Sequence, residues 1–177
     1  MAKLSRLDQA ATLDDVLLYR ISRLLGVAGS LVIRLCEGRF GITRREWRLL
    51  ALLAQSESQG LLSSDLAERA QLDRPRTSKA VSSLVTKKLL RRETRPADRR
   101  QAMLALTEAG RRLYAALFPL VVEINQDLLA ALSPLNVRLL DQNLDALQLR
   151  ADAMLVAHTE LPKADRRRGS RQRRLMG

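Results

Sequence analysis

A single cysteine, Cys36, is all the thiol the chain carries, so no intrachain disulfide can form and a reducing cytoplasm suits it. One histidine, His158, joins it. That is too few nitrogen and sulfur ligands for a zinc site, and no metal or other cofactor is expected. No apolar run approaches the ~18 residues of a membrane span, and the N-terminus lacks the apolar centre of a secretory signal. A cytoplasmic protein without a membrane partner is therefore expected. No Gly-rich phosphate loop is present, and no Ser shares a motif with the His. The acid pairs Asp14/Asp15 and Asp141/Asp145 read as helix-face charges. No catalytic residue is assigned, and an enzyme is not expected.

What is abundant is positive charge, a formal +12 over 177 residues. Residues 43–107 hold 14 Lys and Arg against 7 Asp and Glu, and residues 163–177 hold 7 against 1. Residues 108–161 are net acidic, with 4 against 7. The excess is local, and it points to a polyanionic partner for those two segments.

The first segment contains LLSSDLAERAQLDRPRTSKAVSSLVTKKLLRR, which reads as two short amphipathic helices joined by a turn. Leu66, Ala67 and Ala70 share one face of the first, and Ser63 or Ser64 is its expected cap. Ala80, Val81, Leu84 and Val85 form the inward face of the second. Its outward face carries Arg74, Arg76, Ser78, Lys79, Ser82 and Ser83 with hardly a carboxylate. Asp73 precedes it as N-cap, and Pro75 falls in the first turn, where a missing N–H costs little. Such a helix suits a DNA major groove, since Arg and Lys donate to guanine edges and Ser hydroxyls reach bases or phosphates. Next, Met103, Ala105 and Thr107 alternate with Ala102, Leu104 and Leu106, a β-hairpin whose tip, 95–99, is basic and turn-forming. Helix, turn, helix and hairpin make a winged helix-turn-helix. The expected class is mainly α, with a small β-hairpin wing and long terminal dimerisation helices.

Four regions follow: an N-terminal arm and dimerisation helix (1–42), the DNA-binding region (43–107), C-terminal dimerisation helices (108–161) and a disordered basic tail (162–177). Thr12 and Asp15 form a capping box opening a long helix, with Leu13, Leu17, Ile21, Leu24, Ala28, Leu31 and Leu35 as one continuous stripe to Gly38. Thr43 and Glu46 form a second box, and Trp47, Leu50, Leu53 and Ala54 are the buried face of the helix it opens. Thr107 caps a helix to about Leu132, and Ser133-Pro134 starts the last. The apolar terminal helices need burial against something, and an isologous homodimer reading a two-fold operator is the commonest solution. The tail reads either as a solubility segment or as a second hold on DNA phosphates.

The run from Leu90 to Gly110, with Asp98-Arg99-Arg100 followed by Leu104, Leu106, Thr107 and Gly110, resembles the wing and following helix of the multiple antibiotic resistance regulator (MarR) family. The resemblance spans about Leu13 to Ala157. It implies a homodimeric transcription factor on a double-stranded DNA operator, most often a repressor released by a small-molecule effector, and hence a nucleoid-associated protein. The implied DNA-binding set is Arg74, Arg76, Thr77, Ser78, Lys79 and Ser82 of the recognition helix with Arg95, Arg99 and Arg100 of the wing. Asp98 orients Arg100, and Asp73 pairs with a wing arginine. Two departures stand out: Arg95 replaces a frequent acid, and Thr77 fills a slot often held by a buried aliphatic.

The family's effector pocket lies where this chain gathers Arg34, Arg39, Arg44, Arg45 and Arg48. Five guanidiniums at the helix start opened by Thr43 suit a phosphate-bearing ligand better than a simple aromatic acid, for which one or two basic groups would do, and Leu31, Trp47 and Leu50 suit an aryl part. Residues 35–54 resemble the branch that answers to hydroxycinnamoyl-CoA thioesters, so an aromatic acyl-CoA or aromatic acid is the expected effector, relevant to aromatic-compound catabolism. Alternatively, these arginines contact DNA or pair with Glu37 and Glu46. Two other functions stay open: a thiol redox switch at Cys36, whose thiolate Arg34 and Arg39 would favour, or a ligand-blind architectural DNA binder.

Overall fold

In the computed structural model, Thr12 and Asp15 do form a box: the Thr12 amide and hydroxyl donate to Asp15 Oδ2 at 3.0 and 2.7 Å. The box closes only the three-residue 3-10 turn Leu13–Asp15. Val16 is extended (ψ 121°), and α1 (Leu17–Arg34) starts afresh after it. The expected uninterrupted helix is therefore broken at its first turn, because the box satisfies its donors locally. A π-helical turn, Leu35–Arg39, ends the element. The structure describes residues 5–56, 60–95, 98–158 and 160, omitting the side chains of 94–102.

The order continues with α2 (Arg44–Ala54), β1 (Leu61–Leu62), α3 (Ser63–Arg69), α4 (Arg74–Thr86), β2 (Leu90–Arg95), β3 (Asp98–Leu106), α5 (Glu108–Leu129) and α6 (Pro134–Ala157). The antiparallel sheet runs β1-β3-β2, with Leu61 opposite Leu104 and Leu90 opposite Leu106. Leu104 and Leu106 point into the core and Met103 and Ala105 are half-buried, as the alternation requires. Leu50, Leu66, Leu84, Leu104 and Leu117 are fully buried in one cluster shared by α2, α3, α4, β3 and α5.

Three loop features hold this cluster closed. Gly60 has φ +72° and faces the Leu104 carbonyl, leaving no room for a side chain. Gly110 faces the Leu89 carbonyl still more closely. The Thr107 hydroxyl donates to the Lys88 carbonyl at 2.7 Å and accepts from the Gly110 amide at 3.1 Å, capping α5 against the base of the wing. The Thr-x-x-Gly spacing thus has a steric cause.

Contacts divide the chain into two compact units, residues 1–128 and 129–177. In the second, the Ser133 hydroxyl accepts from the Asn136 amide and caps α6, none of whose residues is buried. Leu135, Leu139, Leu144, Leu147 and Met154 are all exposed. The stripe on α1 behaves alike: Leu13, Ile21, Leu24 and Leu31 are exposed in the single chain.

Candidate nucleic-acid interface

Helix α3 ends at Ala70, and Gln71 takes a left-handed conformation (φ +51°) while the Leu72 amide donates to the Ala67 carbonyl. This is the six-to-one bond of a helix C-terminal motif, made here without glycine. Neither Ser63 nor Ser64 caps α3. Leu62 holds that position without a side-chain bond, and both serines lie inside the helix.

Asp73 caps α4 as expected: its Oδ1 accepts from the Arg76 amide at 2.9 Å, and Oδ2 lies 3.3 Å from Arg76 Nε. Arg74, Arg76, Ser78, Lys79 and Ser82 are exposed along the helix, while Ala80, Val81 and Leu84 are buried beneath. Three residues fall differently. Thr77 is buried and its hydroxyl donates to the Asp73 carbonyl at 3.0 Å, so it belongs to the core and is removed from the DNA-binding set. Its β-branched shape fills an inward slot while its hydroxyl is satisfied within the helix. Ser83 is half-buried rather than outward, and Val85 is exposed rather than inward. In the wing, Arg91 and Arg92 are exposed on β2, with Arg91 Nε 3.2 Å from Glu93. The side chains of Arg95, Asp98, Arg99 and Arg100, and with them the pairing of Asp73 to a wing arginine, lie outside the described residues, as does the tail from 161 on.

Helix α2 packs against α3 and α4. Its capping box is complete: the Thr43 amide donates to Glu46 Oε2 at 2.6 Å, and the Glu46 amide donates to Thr43 Oγ1 at 3.2 Å. Glu46 is only 2 % exposed and also accepts from Lys87 Nζ of the α4 terminus at 3.1 and 2.9 Å. Burial alone would raise its pKa. Hydrogen bonds from Ser83, Lys87 and the Thr43 amide, with the Lys87 charge, outweigh that and hold it below the usual carboxylate value. So Glu46 pairs with a lysine, not with the neighbouring arginines. Arg48 reaches the other helix: its Nη1 donates to the Ala70 carbonyl at 2.9 Å.

The candidate effector residues separate into groups. Arg44 and Arg48 line two adjoining cavities, one of about 380 Å³ with Arg45, Thr43 and Glu37, the other of about 330 Å³ with Trp47, Leu25 and Val32. The first carries the charged side chains beside the apolar Ile33 and Leu72, and the second is mostly apolar in its lining. Arg44 is half-buried against α1, where a side chain at Gly29 would approach its Nη1 to 3.3 Å. Trp47 stacks on Tyr114 with ring centres 5.6 Å apart. Leu50 is fully buried in the core and lines neither cavity, a correction explained by its position on the face of α2 opposite α1. Arg34 and Leu31 are exposed and stand outside both cavities, and Arg39 lies over the Phe40 ring at 5.7 Å. The α1 wall of the second cavity, Leu25, Gly29 and Val32, lies beside the more apolar stripe that dominates the helix's periodicity. Its i, i+4, i+7 spacing was available as a signal. A further cavity of about 700 Å³ lies behind the wing base, lined by Arg91, Arg111 and Tyr114 among others.

Cys36 is fully buried, and burial together with Glu37 raises its thiol pKa. The neighbouring arginines do not make it a thiolate.

A winged helix with an arginine-rich outer helix, tied to α2 by the Glu46–Lys87 and Arg48–Ala70 bonds, lies within one stretch of chain. Residues 40–101 match the MarR family. Solved MarR-type structures superpose well beyond that stretch. The DNA complex of MepR from S. aureus is 25% identical, covering 73% of this chain and 96% of MepR with a TM-score of 0.65. A MarR-family transcriptional regulator from Rhodococcus sp. RHA1 is 23% identical over 77% of this chain and 95% of its own, TM-score 0.69. PcaV from Streptomyces coelicolor, solved with its natural ligand, is 24% identical over 87% and 99%, TM-score 0.63. These likenesses establish the MarR winged-helix fold. No curated protein matches the chain in sequence.

Proposed function

We propose that this protein is a DNA-binding transcriptional regulator of the MarR type, acting as a homodimeric repressor released by a small aromatic acid or its CoA thioester. The observation that carries the DNA reading is the outer face of α4, where Arg74, Arg76, Ser78, Lys79 and Ser82 are exposed and Asp73, just before the helix, is engaged as its cap. Residues near the N-terminus of such a helix meet base edges in the major groove. The described wing residues Arg91 and Arg92, and the expected Arg95, Arg99 and Arg100, supply adjacent positive charge. MepR was solved with DNA, which supports the same use of this fold.

Support for a dimer comes from the exposed leucines of α1 and α6, too extensive an apolar surface to leave in water. Support for the effector comes from the paired cavities sharing Arg44 and Arg48, one arginine-rich and the other mostly apolar, which suit a ligand with an anionic and an aryl end. PcaV was solved with its natural ligand. A buried Cys36 with a raised pKa speaks against the thiol switch. Among the described residues no single helix is long and apolar enough to cross a membrane.

The experiment is a titration of duplex DNA from the flanks of the gene, with and without coumaroyl-CoA, free coumaric acid, CoA and peroxide. Saturable, sequence-dependent binding relieved by the thioester is expected. Release by the free acid alone would remove the phosphate-binding role of Arg44, Arg45 and Arg48. Sequence-tolerant binding indifferent to all additions would leave an architectural protein.

A further inference from the structure

Lys87, just past the end of α4, reaches the Glu46 carboxylate of α2, with Nζ 3.1 and 2.9 Å from its two oxygens, and Ser83 stands one turn before it on the same helix. That carboxylate is 2 % exposed. It accepts from Lys87 Nζ on both oxygens and from the Thr43 amide, and Lys87 Nζ also donates to the Gly41 carbonyl at 2.8 Å. One lysine thereby joins three pieces: the turn before α2, the first turn of α2 and the end of α4. The charges also suit their places, an acid at a helix N-terminus and a base at a helix C-terminus.

The remaining hold of α2 on α4 is apolar, with Val81 and Leu84 sharing a cluster with Leu50 and Leu53. Apolar packing is non-directional and tolerates small rotations. A lysine held at once by both oxygens of a buried carboxylate and by the Gly41 carbonyl does not. We propose that Lys87 is a positioning residue for α4. Through Glu46 it sets the rotation of the helix, and with it which of Arg74, Arg76, Ser78 and Lys79 reach base edges. Arg76 lies on the same helical row as Ser83 and Lys87, so any rotation carries it sideways. A turn of ~20° at a radius of ~5–6 Å moves a side chain by about 2 Å. The distance window of a hydrogen bond is only ~0.5 Å. The clamp therefore acts on base preference while touching no DNA itself. This inference rests on the proposed DNA-binding function.

The test uses the full chain and two duplexes: one that the unaltered protein enriches from a random pool, and a scramble of equal composition. In Glu46→Gln/Lys87→Met the Gln keeps the capping box and no unpaired charge is left buried. Its thermal midpoint should stay close to that of the unaltered chain. The preference for the enriched duplex should fall on the order of tenfold, the loss expected when a bidentate base contact is misaligned. The slope of log K against log salt should not change, because no phosphate contact is lost. Lys87→Arg keeps the charge and the fold but changes the reach of the arm, and it should also lower the preference; it carries the test if the double variant fails to fold. Unchanged preference in a folded variant would overturn the proposal. So would equal weakening on both duplexes with a slope shallower by about one, the mark of a direct phosphate contact. An unaltered chain that enriches no duplex would sink the regulator reading itself, and this inference with it.

Discussion

Helices α2 and α4 open alike, with Arg44 and Arg45 after the cap Thr43 and with Arg74 and Arg76 after the cap Asp73, yet their arginines are differently employed. On α2, Arg44 is half-buried against Gly29 of α1 and Arg48 holds the last carbonyl of α3. On α4, Arg74 is exposed, and the exposed Arg76 sets its guanidinium 3.3 Å from its own cap, Asp73. The difference comes from what lies over each helix. Helix α2 has α1 on one side and α3 and α4 on another, so its cations are drawn into carbonyls and cavities. Helix α4 has one face in the core and one in solvent, so its cations remain available. A cluster of arginines at a helix start is therefore not in itself a DNA contact.

The contrast predicts that α2 arginines cost stability and α4 arginines cost binding. Arg48→Met, which keeps an apolar stem but leaves the Ala70 carbonyl without its charged donor, should destabilise by ~1.5–3 kcal/mol, the upper end only if water cannot replace it. Denaturant unfolding measures this, and a change under ~0.5 kcal/mol would mean the Arg48 bond is ornamental. Arg76→Ala should weaken operator binding by ~1–3 kcal/mol and relax preference at one base position, while its thermal midpoint scarcely moves. Uniform weakening on every sequence would demote Arg76 to a phosphate contact. Thr77→Val keeps the shape of a buried residue and loses one hydrogen bond, so it should cost ~0.5–1.5 kcal/mol of stability with DNA preference intact; altered preference would restore Thr77 to the interface.

The smallest effect near neutral pH concerns Glu46. Its folded pKa lies below the ordinary 4.5, so its stabilising contribution is fully present above the unfolded value and disappears as pH falls through the lower folded one. Unfolding free energy measured from pH 7 downward should therefore drop more steeply below about 4.5 in the unaltered chain than in Glu46→Gln. Parallel curves would show that Glu46 has no net tie to Lys87.

Much of the interface was legible because it obeys local rules. Asp73 and Thr43 cap where short polar side chains before helix starts should cap, and Leu104 and Leu106 face inward by the period of a strand. The basic face of α4 needed only helical spacing. Where the reading failed, a non-local neighbour had intervened. Leu50 looked equally suited to a ligand wall or a core, and only the position of α3, α4 and β3 around α2 buries it. Thr77 carries a hydroxyl that could have faced DNA, but its slot lies inward. Val16 interrupts a stripe that the periodicity alone would continue.

The order of amino acids alone determined most of the helices, the caps Thr43, Asp73 and Ser133, the wing's alternation and the concentration of charge in residues 43–107, since each depends on contacts within a few residues. Tertiary structure alone decided that Lys87 and Glu46, 41 residues apart, share one buried carboxylate, and that Arg48 closes α3 across 22 residues. No spacing rule links such positions. Their bonds form only after the apolar core has brought α2, α3 and α4 together, and they then fix the geometry that the non-directional core leaves loose.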